Sequence, residues 1–323
     1  MSTYTDVLLK IKRGFLIVGL TGYTGSGCTT VMQLLEKKES PLFPGFSSIG
    51  DNIDPKVHTK LEYTWKSLTW SRFVSVEVAE GICLFGTFKT HCSKDLYSFI
   101  NLMQDLGDQI RQFGQVKDNK TYHPSPENML VLPEAIRRLI KAHRVAFGET
   151  RFVIDAFRNP YEVEYFKRRY SEFYLIAVQR PLDDIRMALE NLSGDAINDI
   201  QNRERGGKVD GKSVDNIHKL ITSQNIEECF QKSDLFVNNI HDKSRTYPHL
   251  RYHLLRFIIL ANIPGIIPPN SDERNMQIAM TARQNSGCLS RHVGAVVLSR
   301  KGFILGFGWN DPPRGQVQCT LRT

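Results

Sequence analysis

The chain has 323 residues, 41% of them apolar and 10% aromatic, enough to bury more than one core. No run approaches the roughly 18 uncharged apolar residues that a membrane-crossing helix needs, and the opening MSTYTDVLLKIKR lacks the apolar block of a secretion signal. An integral helical membrane protein is thereby excluded, and a cytoplasmic protein is expected. Six scattered cysteines without paired spacing argue against a disulfide framework, and a formal charge of +8 suits anionic partners, nucleotides or nucleic acid, without choosing between them.

The first element is GFLIVGLT (14–21), a continuous apolar run of the kind a doubly buried strand requires. It runs into GYTGSGCTT (22–30) and then into a helical stretch with Val31, Leu34 and Leu35 at helical spacing. Set against the phosphate-binding pattern G-x-x-x-x-G-K-[ST], the glycines fall at Gly22 and Gly27 and the hydroxyl at Thr29, but Cys28 stands in the lysine slot. The loop residues Gly22, Gly25, Ser26, Gly27, Cys28, Thr29 and Thr30 place backbone N–H groups and a helix N-terminus around one point, which attracts phosphate with or without a lysine. The lysine normally neutralises charge that develops during phosphoryl transfer, so its replacement weakens a catalytic reading more than a binding one.

A basic amphipathic helix, PEAIRRLIKAHRVA, precedes a second buried strand, RFVIDAF (151–157), which ends in the polar cluster Asp155, Arg158 and Asn159. Asp155 stands where a carboxylate would order Mg²⁺ together with Thr29. A third strand, EFYLIAVQRP (172–181), and a fourth, DLFVNNI (234–240), complete a set of unalternating strands separated by helices. That pattern predicts an α/β fold, a parallel sheet with helices on both faces. Between them NRERGGKVDGKS (202–213) has no apolar period and reads as a mobile loop or lid bearing Arg203 and Arg205. The breakers in IPGIIPPNSDE (263–273) mark a boundary between domains at 1–265 and 270–323. In the second, Ser271 is expected to cap a helix, and VGAVVL and FILGFG form a hairpin around Ser299 to Gly302.

With these blocks and the further stretches QDLGDQIRQFG (104–114) and VIDAFRNPYEVEYF (153–166), the first 260 residues resemble the P-loop nucleoside-monophosphate and dephospho-coenzyme A kinase group. The resemblance implies phosphate contacts at Arg111, Arg158 and Arg180. The C-terminal stretch 282–319 looks like the opening of a deoxycytidylate deaminase domain, through Ser286, Cys288, Arg291, Val293, Gly294, Ala295, Gly308, Asn310, Pro313, Gly315 and Cys319, with Trp309 in place of the usual tyrosine. That resemblance implies that Asn310 hydrogen-bonds a bound nucleotide; Cys288 and Cys319 read as buried thiols. Zinc-dependent deamination needs H-x-E and P-C-x-x-C segments, and neither occurs. No zinc ligand or catalytic residue is therefore assigned, and residues 270–323 are expected to be an incomplete portion of such a domain, inactive as a deaminase alone.

The domain order resembles that of bacterial antiphage deaminases, in which the loop lysine is also commonly replaced. The resemblance implies a zinc-dependent hydrolase that converts dCTP or dCMP to dUTP or dUMP. It implies a regulatory, Mg-nucleotide-binding loop domain, deoxycytidine nucleotides as partners, an inhibitory small RNA and a homo-oligomer. Two alternatives stay open: a deoxynucleoside-monophosphate kinase that uses a lid arginine or Lys208 instead of the lysine, and a non-catalytic nucleotide- or RNA-binding module.

Overall fold

A computed structural model describes residues 15–38, 55–68, 70–83, 85, 95–116, 124–148, 150–206, 214–240, 246–313 and 315–321. The chain divides into two compact units, Met1–Pro264 and Gly265–Thr323. No helix among the described residues is long and apolar enough to cross a membrane.

The first unit is built on five parallel strands in the order β2-β3-β1-β4-β5, where β1 is Leu16–Thr21, β2 Val74–Glu77, β3 Arg151–Asp155, β4 Phe173–Gln179 and β5 Leu235–Asn238. All six residues of the central strand β1 are buried, as its unbroken apolar run requires. Helices flank the sheet: α1 (Cys28–Glu36), α2 (Pro55–Ser67), α3 (Val78–Cys83), α4 (Leu96–Phe113), α5 (Val131–Phe147), α6 (Pro160–Arg169), α7 (Leu182–Ala188), α8 (Gly194–Glu204), α9 (Val214–Thr222), α10 (Ile226–Gln231) and α11 (Pro248–Asn262). The core centres on Phe157, Phe166 and Phe173, whose ring centroids lie 5.3 to 5.6 Å apart. Aromatic trios at this spacing add edge-to-face attraction to plain area burial.

Two elements differ from expectation. Strand β2 is an edge strand missing from the expected set: VSVE alternates valine with Ser and Glu, the short period-two pattern of a half-buried strand, and offers no apolar run. The segment 202–213 is not a loop throughout: Asn202, Arg203 and Glu204 form the last turn of α8, and 207–213, with Lys208, lies outside the described residues. Helix α8 is capped by Ser193, whose side chain accepts the Ala196 N–H at 3.2 Å, and it buries Ile197, Ile200, Gln201 and Glu204 along one stripe.

The second unit holds helix α12 (Ser271–Arg283) and an antiparallel hairpin of β6 (Gly294–Leu298) and β7 (Ile304–Trp309). Its helix cap is Asn270 rather than Ser271. Asn270 Oδ1 accepts the Glu273 N–H and Glu273 Oε2 accepts the Asn270 N–H, both at 2.8 Å, a reciprocal capping box.

Candidate functional site

Because the strands are parallel, their C-terminal ends meet at one edge, where open α/β sheets place ligands. Glu77 pairs in register with Asp155 across β2 and β3, and the glycine loop leaves β1 beside them. The loop's carbonyls are held outward. Arg180 donates to Gly25 O at 3.0 Å and to Asn239 O at 3.0 Å, and Asn239 Nδ2 donates to Ser26 O at 2.9 Å. With Ser26 O turned toward Asn239, the N–H of Gly27 in the same planar peptide faces the opposite way. Gly27 has φ 94°, and a Cβ there would stand 1.9 Å from Asn239 Nδ2, so only glycine fits. Helix α1 starts at the next residue with no side-chain cap, which leaves the N–H groups of its first turn for a ligand.

Cys28 does not stand in for the missing lysine. Its thiol is buried against the underside of the loop, 3.7 Å from Ser26 Oγ. Burial first, then the nearby Asp155 carboxylate, pushes its pKa far above the ordinary 9.0, so the group is neutral at physiological pH. Thr30 follows in the first turn of α1, while Thr29 donates its hydroxyl to Asp155 Oδ2 at 3.1 Å. Burial raises the Asp155 pKa, opposed by the Thr29 hydrogen bond and by Arg158.

These residues suit magnesium. That ion keeps several waters and takes one or two carboxylates plus substrate phosphates, and the Asp155–Thr29 pair supplies hard oxygens beside the cradle. Zinc is different. Among the described residues no group of three or more His, Cys, Asp or Glu is placed to hold a metal.

Next to the loop lies a cavity of about 310 Å³, walled by Phe99 and Met103 on the apolar side and by Glu77, Gln104, Asp155 and Arg158 on the polar side. The arginines expected to meet phosphate differ in their partners. Arg158 faces the loop: it donates to Thr24 Oγ1 at 3.3 Å and forms an ion pair with Glu204. Arg111, although it borders the cavity, is committed to Glu162 at 2.8 Å and Asp108 at 3.1 Å; these two carboxylates hold its charge against burial. Arg180 serves the backbone, as above, and Arg203 turns to Asp105 and Asp108 of α4 at 2.6 and 3.0 Å. Arg205 lies over the ring of the loop residue Tyr23, 5.7 Å from its centroid, and 3.7 Å from Glu227.

Residues that sequence reasoning passes over complete the picture. Glu204 is fully buried and accepts the Thr24 N–H at 3.0 Å, and Gln104 Nε2 reaches it at 3.4 Å. Its signal is present in the sequence: Ile197, Ile200 and Glu204 stand three and four residues apart, which puts a carboxylate on the apolar stripe of a helix.

In the second unit Asn310 is a staple. Its Oδ1 accepts the Val293 N–H and the Ser286 hydroxyl, both at 2.7 Å, and its Nδ2 donates to Arg291 O at 2.8 Å. The Asn310 side chain also hydrogen-bonds the Cys288 sulfur. Cys288 and Cys319 are half-buried rather than buried.

No family model matches the chain, and no curated protein matches it. Among solved structures it is similar to the crystal structure of TT1252 from Thermus thermophilus, with 14% identity and a TM-score of 0.35 over 78% of this chain and 100% of that one. Likeness at that level bears on neither site nor activity.

Proposed function

We propose that the first unit is a nucleotide-binding regulatory unit whose glycine loop holds phosphates without a lysine. In this reading the loop belongs to a cytosine-nucleotide hydrolase acting on dCTP or dCMP, with residues 270–323 contributing to the deaminase part. The observation that carries the nucleotide reading is the loop itself. Its carbonyls are tied back by Arg180 and Asn239, and the uncapped N-terminus of α1 sits beside the Thr29–Asp155 pair. Such amides attract phosphate in the absence of any side-chain cation. A neutral, buried Cys28 offers no charge to a phosphoryl group in flight, which favours holding a nucleotide over transferring from it.

Bound magnesium would neutralise phosphate charge at this edge; Asp155 and Thr29 would hold it. Thr29 would keep its hydroxyl oxygen toward the ion while Asp155 accepts the hydroxyl proton. No step of cytosine hydrolysis is assigned to residues of this chain, since zinc has no ligand set among the described ones. The regulatory part of the proposal rests on the order of the two units and on the resemblances described above.

Isothermal calorimetry of the 323-residue chain with ATP and dCTP, with and without Mg²⁺, tests the proposal. Saturable heat that Asp155→Ala weakens in the magnesium arm is expected. No heat with either triphosphate overturns it.

The cavity walled by Gln104, Glu77 and Arg158 favours a second reading, phosphoryl transfer to an acceptor bound there. A coupled assay for ATP-dependent phosphorylation of deoxynucleoside monophosphates decides between them. Turnover that Asp155→Ala abolishes supports transfer; binding without turnover supports the regulatory reading.

A further inference from the structure

A fully buried carboxylate is costly unless donors surround it, and Glu204 has four. Thr24 contributes its N–H at 3.0 Å and its hydroxyl, Gln104 contributes Nε2 at 3.4 Å, and Arg158 contributes a guanidinium. None of these donors belongs to α8, the helix that carries Glu204. Thr24 is part of the glycine loop, and Thr24, Gln104 and Arg158 all border the cavity beside it. Gln104 Oε1, in a side chain only 4% exposed, has no hydrogen-bond partner among the described residues. That acceptor is left for a water or for a donor on a bound molecule.

Taken without Glu204, this constellation is an anion subsite: one loop N–H, one hydroxyl, one amide and one guanidinium converge on a buried point. We propose that Glu204 is an internal occupant of this subsite, and that a phosphate group of a loop-bound nucleotide takes its place and releases the C-terminal end of α8. The proposal rests on the nucleotide-binding reading of the loop and adds the way that binding is reported to the rest of the unit.

The exchange balances. A carboxylate carrying one negative charge leaves Arg158 and the Thr24 N–H, and a phosphate oxygen of a more highly charged group accepts the same hydrogen bonds. Arg203, one residue earlier, keeps its pairs with Asp105 and Asp108, so α8 stays tethered to α4 as far as Arg203 while the chain from Glu204 onward moves. Arg205, one residue later, sits over Tyr23 of the loop and is drawn along. While Glu204 holds the subsite, only the fraction of molecules with it withdrawn is competent, and apparent affinity falls by that fraction.

Two measurements on the whole chain test this. Glu204→Gln keeps the size of the side chain and an acceptor for Thr24 but removes the charge. Calorimetry with ATP and with inorganic tripolyphosphate, which lacks a base, is expected to show both binding about ten-fold tighter to the variant, the worth of one charge-assisted hydrogen bond. Hydrogen exchange on the unsubstituted protein needs no variant. Amides of residues 201–206 are expected to exchange faster after ATP is added, whereas a ligand that only rigidified the unit would slow them. If ATP binds the unsubstituted chain while exchange in 201–206 is unchanged or slower, or Glu204→Gln folds and binds no tighter, Glu204 is a fixed strut and the proposal is overturned alone. If neither protein binds ATP or tripolyphosphate, the nucleotide-binding reading of the loop falls, and this inference with it.

Discussion

Two strands with similar apolar content behave in opposite ways. Every residue of β1, LIVGLT, is buried, whereas Ile304, Leu305, Phe307 and Trp309 of β7, ILGFGW, are all exposed. The difference is one of neighbours. β1 has a paired strand on each side and helices flanking its sheet, while β7, among the described residues, pairs only with β6 in a two-stranded sheet served by one α-helix. Burial is therefore a property of the layer a strand joins, and a two-stranded hairpin cannot supply that layer itself. Polar residues differ in parallel. In the first unit they gather at the strand ends around the loop, and in the second Asn310 and Ser286 secure their own backbone.

The largest test of this contrast removes one aromatic ring from each unit. Phe157 is fully buried between Phe166 and Phe173, so Phe157→Ala is expected to cost about 3–5 kcal/mol. Phe307 is 62% exposed, and Phe307→Ala is expected to stay within about 0.5 kcal/mol. Urea midpoints for both variants check this. A comparable cost at Phe307 would show that the hairpin face is covered in solution.

A second test pairs two glycines with positive φ. Gly302, φ 80°, turns the hairpin with nothing within 4 Å of the place a methyl group would occupy, so Gly302→Ala meets only the backbone penalty of about 1–2 kcal/mol. Gly27→Ala adds a collision with Asn239 to that penalty. Asn239 is the group that turns Ser26 O outward, so the substitution is expected to weaken ATP binding at least about ten-fold. Calorimetry on the folded variant reads it. Unchanged binding would separate the loop's shape from its affinity.

Much of this is legible in the sequence, for reasons that also explain the gaps. Strands β1, β3 and β4 stand out because strands buried on both faces must be continuously apolar; the edge strand β5 stands out by the run Leu235, Phe236, Val237 although Phe236 and Asn238 are exposed, and β2, with Ser75 and Glu77 in its four residues, has no apolar run. The loop stands out because its glycines are required by backbone geometry. What a charged side chain will pair with is not local information. Arg111 finds Glu162 and Arg203 finds Asp105 across 51 and 98 positions of sequence, and so leave the phosphate roles their type suggested. The rotamer of Cys28 is equally invisible to sequence, yet it decides that the thiol lies beneath the loop. Glu204 is readable from helical spacing, but RERGG around it has the look of a loop.

A third, smaller effect concerns pH. Burial raises the Asp155 pKa above its ordinary 3.8, so its protonated form persists to higher pH than that of an exposed carboxyl. Magnesium competes with that proton. The gain in ATP affinity from Mg²⁺ is therefore expected to shrink as pH falls toward the raised pKa, before ordinary carboxylates protonate, and Asp155→Asn is expected to abolish that magnesium gain at every pH. Calorimetric titrations at a series of pH values check this, and a magnesium gain that survives Asp155→Asn would move the ion elsewhere.

The smallest effect tests whether the two units lose structure independently. Glu134 on α5 accepts from Arg137 Nε at 2.7 Å and from the Tyr165 hydroxyl, and the Arg137 hydrogen bond first of all lowers its pKa from 4.5 to about 2. A carboxylate whose folded pKa is depressed contributes stability above its unfolded value. That contribution is lost as pH falls from about 4.5 to about 2. Its side chain is 30% exposed, so solvent screening keeps the contribution under about 1 kcal/mol. Glu134→Gln is expected to lower the urea midpoint of the first unit slightly at pH 6, and the difference from the unsubstituted chain is expected to narrow at pH 3. Hydrogen exchange in β6 and β7 should not follow if that hairpin opens on its own. A matching change there would mean that the exposed hairpin shares the cooperativity of the buried sheet.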